Sequence, residues 1–347
     1  MRGTKKNNLR ILVTGAGAIV APSIIKNYKV VKERNIYVVG VDIKPIVRNK
    51  YIDKYYQYKK PTDKDYIETL LNICINEKID FVIPLVDSEL LILSKNKELF
   101  KKNNIIICIN EPDKIELVQN KYNLYKYLEK LNVGVPKSIL FRSIEELIEA
   151  SKQITGIKCY KPVISSGTRG FKVIKDDIDY DEYLFGSKAD SKYISMDYLI
   201  ASMKKCKNIP QMMLMEYVSG DLYNVNVLAN NGETLYAVSG KVLDFGLGNT
   251  TKCKIENNIE VLDFCKKITK ILKLNGNIGF EVAYTNTNQL KLIEINIRVQ
   301  GQIYSSTLAG VNFPYLELKY YLGEELPKYD VREITMIRYL EDIELID

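Results

Sequence analysis

Two glutamates and an asparagine interrupt apolar segments late in the sequence. Glu281 lies within IGFEVAY, and Glu294 and Asn296 lie within LKLIEIN. Both segments are typical of β-strands, and residues two apart on a strand share a face. Three oxygen ligands from two adjacent strands suit Mg²⁺, which keeps its remaining positions for water and phosphate. The alternative is a solvated sheet face, and the apolar residues between these side chains argue against it.

Arg298 follows Asn296 by two residues and shares the same predicted face. A guanidinium there can neutralise charge on a transferring phosphoryl group. The sequence contains no histidine, which excludes Ser-His-Asp and Cys-His mechanisms and removes the usual general base at neutral pH. Chemistry that relies on carboxylates, Lys, Arg and an oxygen-bound metal favours phosphoryl transfer, because positioning and charge neutralisation do most of the catalysis there.

A Gly/Ser/Thr-rich segment, KPVISSGTRG at 161–170, lies between two predicted strands, IKCYKPV and FKVI. Lys161 supplies a point charge, and Gly167 and Gly170 let the backbone approach phosphate oxygens closely. The segment is not a Walker loop, which needs G-x-x-x-x-G-K-[ST] followed by a helix. An ordinary hairpin turn is the alternative interpretation.

The apolar strand MMLMEYVSGD ends in a Gly turn and is a candidate adenine-binding strand. Glu216 and the backbone at Tyr217 and Val218 can meet an adenine edge, with Met213 and Met215 packing on the ring. A strand of the hydrophobic core is the alternative, because methionine is common in cores.

Residues 9–110 alternate between apolar strand-like and amphipathic helix-like stretches. This pattern predicts a doubly wound α/β domain with a parallel sheet. Within it, GAGAIV follows a strand and Asp42 ends the next one, an arrangement that also suits a dinucleotide-dependent oxidoreductase. However, Val20 replaces the third Gly of that fingerprint, and Pro22 lies in the first helical turn.

The composition bounds the class of protein. The 347 residues are 46% hydrophobic and 27% charged, with a net charge of +7, and this length allows two or three domains. No apolar run approaches the length of a membrane span, and nothing resembles the aromatic and basic pattern of a nucleic-acid module. The six cysteines form no C-x-x-C pair and suit a reducing compartment. We expect a cytoplasmic protein with neither nucleic-acid nor membrane partners.

In their order, these features resemble the ATP-grasp superfamily, and within it the carbamoyl-phosphate-synthetase-like branch in single-copy form. The matching segments are VTGAG, VGVD, QNKYNLYKYLEKLNVGVPKS, KPVISSGTRG, MEYVSGD and EINIRVQGQ. The resemblance implies an α/β fold in which an N-terminal doubly wound pre-ATP-grasp domain precedes a two-lobed α+β ATP-grasp module. The implied parts are 1–112 for the first domain, 113–136 for a connecting helix, 137–217 for a lid subdomain and 218–347 for a C-terminal subdomain with the metal site.

The resemblance also implies the site residues. The implied ATP ligands are Lys121, Lys161, Ser165, Ser166, Gly167, Thr168, Gly170, Glu216, Tyr217, Val218 and Asp221. Glu281, Glu294 and Asn296 would bind Mg²⁺, or Mn²⁺ in its place, while Arg298 and Lys161 would act in catalysis. Candidate substrate contacts are Gly15, Gly17, Asp87, Ser88 and Glu89. Two departures stand out: Ile297 replaces the usual proline of N-P-R, and Asp221 lies one residue before the usual ribose-binding acid.

The expected activity is therefore that of an ATP-dependent carboxylate–amine ligase that works through an acyl phosphate and releases ADP and phosphate. The chain is about one synthetase unit long and lacks a glutaminase, so carbamoyl phosphate is not the expected product. Polar residues after Arg298 suggest amino acids or peptides as acceptors, and a homodimer is compatible with this class. The alternatives are an NAD(P)-dependent oxidoreductase and a catalytically inactive nucleotide-binding protein.

Overall fold

The structure, a computed structural model, describes residues 7–45, 49–165, 167, 169–179, 181, 185–186, 192–246 and 248–339. The chain divides into two units. Unit 1 comprises Met1–Glu116, Leu222–Val282 and Glu294–Asp347, and unit 2 comprises Leu117–Asp221 and Ala283–Ile293. The predicted N-terminal domain and much of the predicted C-terminal subdomain thus fall in one unit, and the domain boundaries proposed from the sequence stay predictions.

Unit 1 begins with a five-stranded parallel sheet. Its strands are β1 (Asn8–Thr14), β2 (Asn35–Asp42), β3 (Lys54–Gln57), β4 (Phe81–Ile83) and β5 (Ile106–Ile107), in the order β3-β2-β1-β4-β5. Strands β1 and β4 are apolar and largely buried, as strands covered on both faces must be. The strand order is that of a doubly wound sheet, which confirms the predicted fold class.

The helices that belong to this sheet differ from prediction in one place. They are α1 (Ala21–Lys29), α2 (Tyr66–Asn76), α3 (Asp87–Lys95) and α4 (Lys97–Lys101). Within the alternating pattern of residues 9–110, the stretch from Glu89 to Phe100 predicts one helix. This prediction is wrong, because Asn96 separates α3 from α4. The Asn96 amide donates to the Ile92 carbonyl at 2.8 Å, a local hydrogen bond of the kind that competes with continued helix.

A six-stranded sheet follows. Its strands are β11 (Leu222–Asn230), β12 (Glu233–Gly246), β13 (Asn249–Ile255), β14 (Gly276–Tyr284), β15 (Leu290–Asn296) and β16 (Ile334–Ile337), in the order β15-β14-β11-β12-β13-β16. Asn231 and Gly232 form the two-residue loop between β11 and β12, and both have positive φ, as this type of hairpin turn requires. The residues Asn230-Asn231-Gly232 between two apolar stretches predict this hairpin turn, and the structure confirms it, whereas β13 and β16 were not predicted from the sequence.

The remaining helices of unit 1 are α9 (Ile259–Leu272), α10 (Tyr304–Leu308) and α11 (Phe313–Tyr321). Asn258 and Asn312 cap α9 and α11, because their side chains accept from the Val261 and Tyr315 N–H groups at 3.1 and 3.2 Å. Residues of both sheets and of α1 and α11 form one hydrophobic core. This core fixes the strand ends that carry the candidate functional side chains.

Unit 2 is built on a five-stranded mixed sheet. Its strands are β6 (Ser138–Phe141), β7 (Lys158–Pro162), β8 (Lys172–Ile174), β9 (Tyr193–Ile194) and β10 (Met212–Glu216), in the order β6-β10-β7-β8-β9. Helices α7 (Ile144–Gln153) and α8 (Met196–Met203) contribute to its own hydrophobic core.

The predicted connecting helix is two helices, α5 (Pro112–Gln119) and α6 (Lys121–Glu129). Asn120 separates them, because its side chain accepts from the Asn123 N–H at 3.0 Å and so starts a new helix. Over the described ranges, none of the helices is long and apolar enough to cross a membrane.

The β11–β12 turn supplies a test of the fold. Gly232 has φ +91°, and a Cβ there would lie 3.1 Å from the Lys273 Cα. We expect Gly232→Ala to lower the free energy of unfolding by about 1–3 kcal/mol, through the left-handed backbone and the close contact together.

Gly156→Ala is the matched control, because Gly156 has φ +73° and a Cβ there would have nothing within 4 Å. It should lose only the backbone contribution, about 1 kcal/mol. Urea denaturation of both variants measures the difference, and equal losses would contradict the steric contribution at Gly232.

Candidate active site

The three predicted metal ligands lie on neighbouring strands. Glu281 is on β14, and Glu294 and Asn296 are on β15, which pairs with β14 at the edge of the sheet. All three are half-buried, whereas Ile295 and Ile297 are buried, so polar and apolar residues alternate along β15 as predicted. Within the described ranges, no group of three or more Cys, Asp or Glu can hold a metal ion. The candidate donor set is therefore two carboxylates and one amide oxygen.

The guanidinium of Arg298 is held by Asp87. Its Nε and Nη2 donate to Asp87 Oδ1 and Oδ2 at 2.9 and 2.8 Å, and its Nη1 donates to the Val299 carbonyl at 3.2 Å. Burial acts to lower the pKa of this guanidinium. The carboxylates of Asp87, Glu294 and Glu281 outweigh burial and raise the pKa above its ordinary value.

The Arg298 side chain is therefore cationic, oriented and only 16% exposed. A guanidinium carries five N–H donors. The three bonds to Asp87 and Val299 leave two donors for a ligand, counting contacts with the described residues. Two parallel N–H groups match the oxygen pair of a carboxylate or a phosphoryl group.

Of the three neighbours proposed as substrate contacts, Asp87 and Glu89 have other partners. Asp87 binds Arg298, a pairing that the sequence did not predict because 211 residues separate the two. Glu89 is 3% exposed, and its carboxylate accepts from the Thr14 hydroxyl, from Tyr66 Oη at 2.6 Å and from the Val86 N–H at 3.1 Å. Burial raises the pKa of Glu89, and these hydrogen bonds oppose the rise. Its geometry favours a structural brace over substrate contact.

Side chains at and after the end of β2 form hydrogen bonds with the glycine-rich loop that follows β1. Gly15 has φ +61°, and a Cβ there would lie 2.5 Å from Val86 Cγ2, so only glycine fits. The Gly17 N–H donates to Asp42 Oδ2 at 2.8 Å, and Lys44 Nζ donates to the Gly17 carbonyl at 2.6 Å. Asp42, the carboxylate that would bind a dinucleotide ribose, is thus bonded to the loop itself. Nothing in this geometry supports the oxidoreductase alternative.

Two buried lysines mark the candidate phosphate region of unit 2. Lys121 and Lys161 are each 6% exposed. Lys121 Nζ donates to the Ser165 carbonyl, and Lys161 Nζ donates to the Ile293 carbonyl at 3.3 Å and lies 5.7 Å from the ring centroid of Tyr125. An ammonium is costly to bury without strong partners. The position of Lys161 therefore suits an anionic ligand.

The described part of the glycine-rich loop after β7 has two glycines in the left-handed backbone region. Gly167 and Gly170 have φ +62° and +71°, and a Cβ on Gly170 would lie 2.9 Å from the ring of Pro162. Ser165 contacts Lys121 through its carbonyl, whereas the predicted ligands Ser166 and Thr168 lie outside the described residues.

The candidate adenine strand β10 is a core strand as well. Met213 and Met215 are 0% and 3% exposed and pair with both neighbouring strands, which agrees with the alternative interpretation of these methionines. The Glu216 and Tyr217 N–H groups donate to the Lys137 and Ile157 carbonyls. Among the three predicted backbone positions, only the Val218 N–H has no partner in the described residues.

Asp221 is exposed, and its carbonyl accepts from the Tyr284 N–H at 3.0 Å. Its carboxylate lies immediately before β11. Ribose binding by Asp221 stays a prediction.

The structure adds a residue that the sequence did not single out. Arg338 follows β16, and its Nη2 donates to the Gly301 carbonyl at 2.6 Å. Burial lowers the pKa of Arg338, and in the described part of the chain no carboxylate pairs with it. The neighbouring Gln302 is 5% exposed, and its Nε2 has no partner among the described residues. The one available signal was an arginine directly after an apolar run, which is weak without knowledge of β16.

Two protein families match parts of this chain. Residues 11–108 match the family described as "PylC-like, N-terminal domain". Residues 208–343 match the family described as "ATP-grasp in the biosynthetic pathway with Ter operon". Both matches support the ATP-grasp superfamily. The resemblance inferred from the sequence is confirmed.

Relatives and solved structures agree with this assignment. The carbamoyl phosphate synthase large chain of Clostridium beijerinckii is 24% identical over 338 residues, which are 92% of this chain and 30% of that protein. The chain thus spans less than a third of that relative's length. A crystal structure of N5-carboxyaminoimidazole ribonucleotide synthetase with ADP has a TM-score of 0.68 and 15% identity, and the match covers 95% of this chain and 81% of that one. An L-amino acid ligase from Bacillus licheniformis has a TM-score of 0.66 and 13% identity, covering 92% of this chain and 75% of that one. The two structures show that the fold is shared.

The Arg298–Asp87 pair is testable through stability. We expect Asp87→Ala to lower the free energy of unfolding by about 1–3 kcal/mol, because it leaves a largely buried guanidinium without its carboxylate. Urea denaturation measures the loss. Ser88→Ala is the control, and its effect should stay within about 0.5 kcal/mol.

The double variant Asp87→Ala/Arg298→Met completes a double-mutant cycle. Its loss should fall short of the sum of the single losses by about 1 kcal/mol or more, because the second substitution removes the unpaired charge. Strictly additive losses would show that the two side chains do not interact in solution.

Proposed function

We propose that this chain is an ATP-dependent carboxylate–amine ligase that forms an acyl phosphate and releases ADP and phosphate. The observation that carries the proposal is the grouping, in unit 1, of Glu281 and Glu294 with an oriented, cationic Arg298. Similarity to the ATP-grasp superfamily supports the same function. No protein nucleophile or histidine is needed for this chemistry.

The donor set of unit 1 fits a hard divalent cation. Two half-buried carboxylates and the Asn296 amide oxygen are ligands that Mg²⁺ prefers, with Mn²⁺ a possible substitute. When bound, the metal would neutralise oxygens of the ATP phosphates. Glu281, Glu294 and Asn296 would hold it, and none of them is needed as a general acid or base.

In unit 2, the buried ammonium groups of Lys121 and Lys161 would bind phosphate oxygens, and the backbone around Gly167 and Gly170 would cover them. The Val218 N–H would donate to the adenine edge. Asp221 is our candidate for the ribose.

The proposed reaction has two steps. A carboxylate oxygen of the substrate bonds to the γ-phosphorus of ATP as the bond to the β–γ bridging oxygen breaks, and ADP leaves. The amine nitrogen then bonds to the acyl carbon, the carbon–oxygen bond to phosphate breaks, and the amine gives up a proton to solvent. The two remaining donors of Arg298 would stabilise the oxygens of the transferring group.

Arg338 and Gln302 support a polar, anionic substrate. Both present donors that the described residues leave without an acidic partner. An amino acid offers a carboxylate to such donors, and the L-amino acid ligase among the similar structures bears a name that agrees with this class. A homodimer and a cytoplasmic location stay predictions.

The metal ligands give the most direct test of activity. With MgATP and a panel of amino acids and other carboxylates, we expect the wild type to release ADP. Glu294→Gln removes one charge from the metal site and should lower that rate by about 100-fold or more. Glu233→Gln, at an exposed position on β12, is the control and should retain the wild-type rate. Absence of ADP from the wild type with every substrate pair would overturn the proposal.

Lys161 tests the nucleotide set separately. Lys161→Met removes a charged donor and should weaken MgATP binding by roughly 10- to 150-fold, the range for a lost charge-assisted hydrogen bond. The free energy of unfolding should not fall by a comparable amount, because an apolar side chain costs less to bury than an ammonium. Isothermal titration of MgATP measures binding, and Lys158→Met is the control. Unchanged affinity would remove Lys161 from the site.

A further inference from the structure

A small polar pocket lies within unit 1, beside the segment that carries Arg298. Asn110, Asn275, Asn277 and Glu317 line it together with residues 297–299. It has room for about one water-sized species. The metal and nucleotide sets proposed above use none of these four side chains.

The carboxylate of Glu317, on α11, is built into this pocket. It is 2% exposed. Its Oε1 accepts from the Asn277 N–H at 3.0 Å, and its Oε2 accepts from Asn277 Nδ2 at 2.6 Å. Gly276 has φ +72°, and a Cβ there would lie 2.4 Å from Glu317 Oε1. Glycine at this position therefore makes room for the carboxylate.

Among the described residues no cationic side chain pairs with Glu317, because Arg298, which lines the same pocket, is paired with Asp87. Burial raises the pKa of Glu317 to about 7, and only the two Asn277 hydrogen bonds act in the opposite direction there. An unpaired buried carboxylate is costly, so a proton or a cation has to accompany it.

The Asn277 amide oxygen also lacks a partner. Asn277 is 4% exposed, and its Oδ1 accepts no hydrogen bond within the described ranges. An ionised carboxylate can only accept, so Asn277 has to turn its Nδ2 toward Glu317. Its oxygen is then left over as a second buried acceptor. Two acceptors side by side favour a positively charged ligand.

We propose that this pocket binds one dehydrated monovalent cation, K⁺ or NH₄⁺, against Glu317 and the Asn277 amide oxygen. The single carboxylate argues for a monovalent ion, because hard divalent ions in proteins usually take more charged ligands. The limited space excludes a larger amine. A bound ion would also steady residues 297–299, and with them the backbone of Arg298. The inference does not depend on the proposed ligase activity.

The proposal predicts a pH dependence. The other titratable groups around Glu317 are Tyr28, Cys108 and Tyr321, and burial raises the pKa of each, so they stay neutral. Arg298 lines the same pocket and is paired with Asp87. Because the pKa of Glu317 is raised, stability without a cation should fall as the pH rises toward and through about 7. A bound cation should remove that fall.

The test compares melting temperatures in KCl, NH₄Cl and tetramethylammonium chloride at equal ionic strength. At pH ~8 we expect K⁺ or NH₄⁺ to raise the melting temperature of the wild type by roughly 2–4 °C in a saturable way. At pH ~5, where Glu317 is protonated, the salts should give equal values. A response to NH₄⁺ alone identifies ammonium, and a response to K⁺ alone identifies a metal ion.

Glu317→Gln keeps the size of the side chain and removes its charge, so the cation response should disappear, while Glu233→Gln should keep it. Equal melting temperatures of the wild type in all three salts at pH ~8 would overturn the proposal, as would an unchanged response in Glu317→Gln. Should that variant not fold, wild-type crystals soaked in Tl⁺ decide the matter: an anomalous peak beside Glu317 supports the site, and an empty pocket or ordered water contradicts it.

Discussion

Arg298 follows the strand that carries Glu294 and Asn296, and both Glu294 and Glu281 attract its charge. Without another partner, a guanidinium at this position would be drawn onto the carboxylates proposed to hold the metal. Asp87 prevents this, because it occupies the Nε and Nη2 edge in a two-point contact at 2.9 and 2.8 Å. After the further bond from Nη1 to the Val299 carbonyl, two N–H donors are left for a ligand, counting contacts with the described residues. The parallel sheet and the antiparallel sheet of unit 1 have to be built around one core for these two side chains to meet.

Burial and hydrogen bonding divide the carboxylates of unit 1 by role. Glu281 and Glu294 are half-buried near a strand end, where water and phosphate oxygens can complete a coordination shell. Glu89 is almost fully buried, and its carboxylate accepts hydrogen bonds from Thr14, Tyr66 and Val86. It therefore connects the end of β1 with the starts of α2 and α3. Glu317 is equally buried and is hydrogen-bonded by Asn277. Residue type alone does not separate these roles, because they depend on which donors the fold brings close.

In unit 2, the buried charged side chains of the candidate site are lysines. Lys121 and Lys161 are as buried as many core residues, yet their ammonium groups donate to neutral backbone carbonyls. A polyanion would give these buried ammonium groups charge-assisted hydrogen bonds. The Val218 N–H is a smaller example of a donor that the described residues leave for a ligand.

Period and local chemistry in the sequence determined the doubly wound sheet, the Asn231-Gly232 hairpin and the alternation along β15 that puts Glu294 beside Asn296, because each depends on neighbours in the chain. The pairing of Arg298 with Asp87 was decided only by the tertiary structure, since 211 residues separate them and no local pattern encodes the contact. The same holds for β13, in which polar residues interrupt the strand pattern, and for β16, which is only four residues long, and hence for Arg338. Local sequence patterns determine backbone geometry, whereas contacts between residues far apart in the sequence depend on how the two sheets of unit 1 pack.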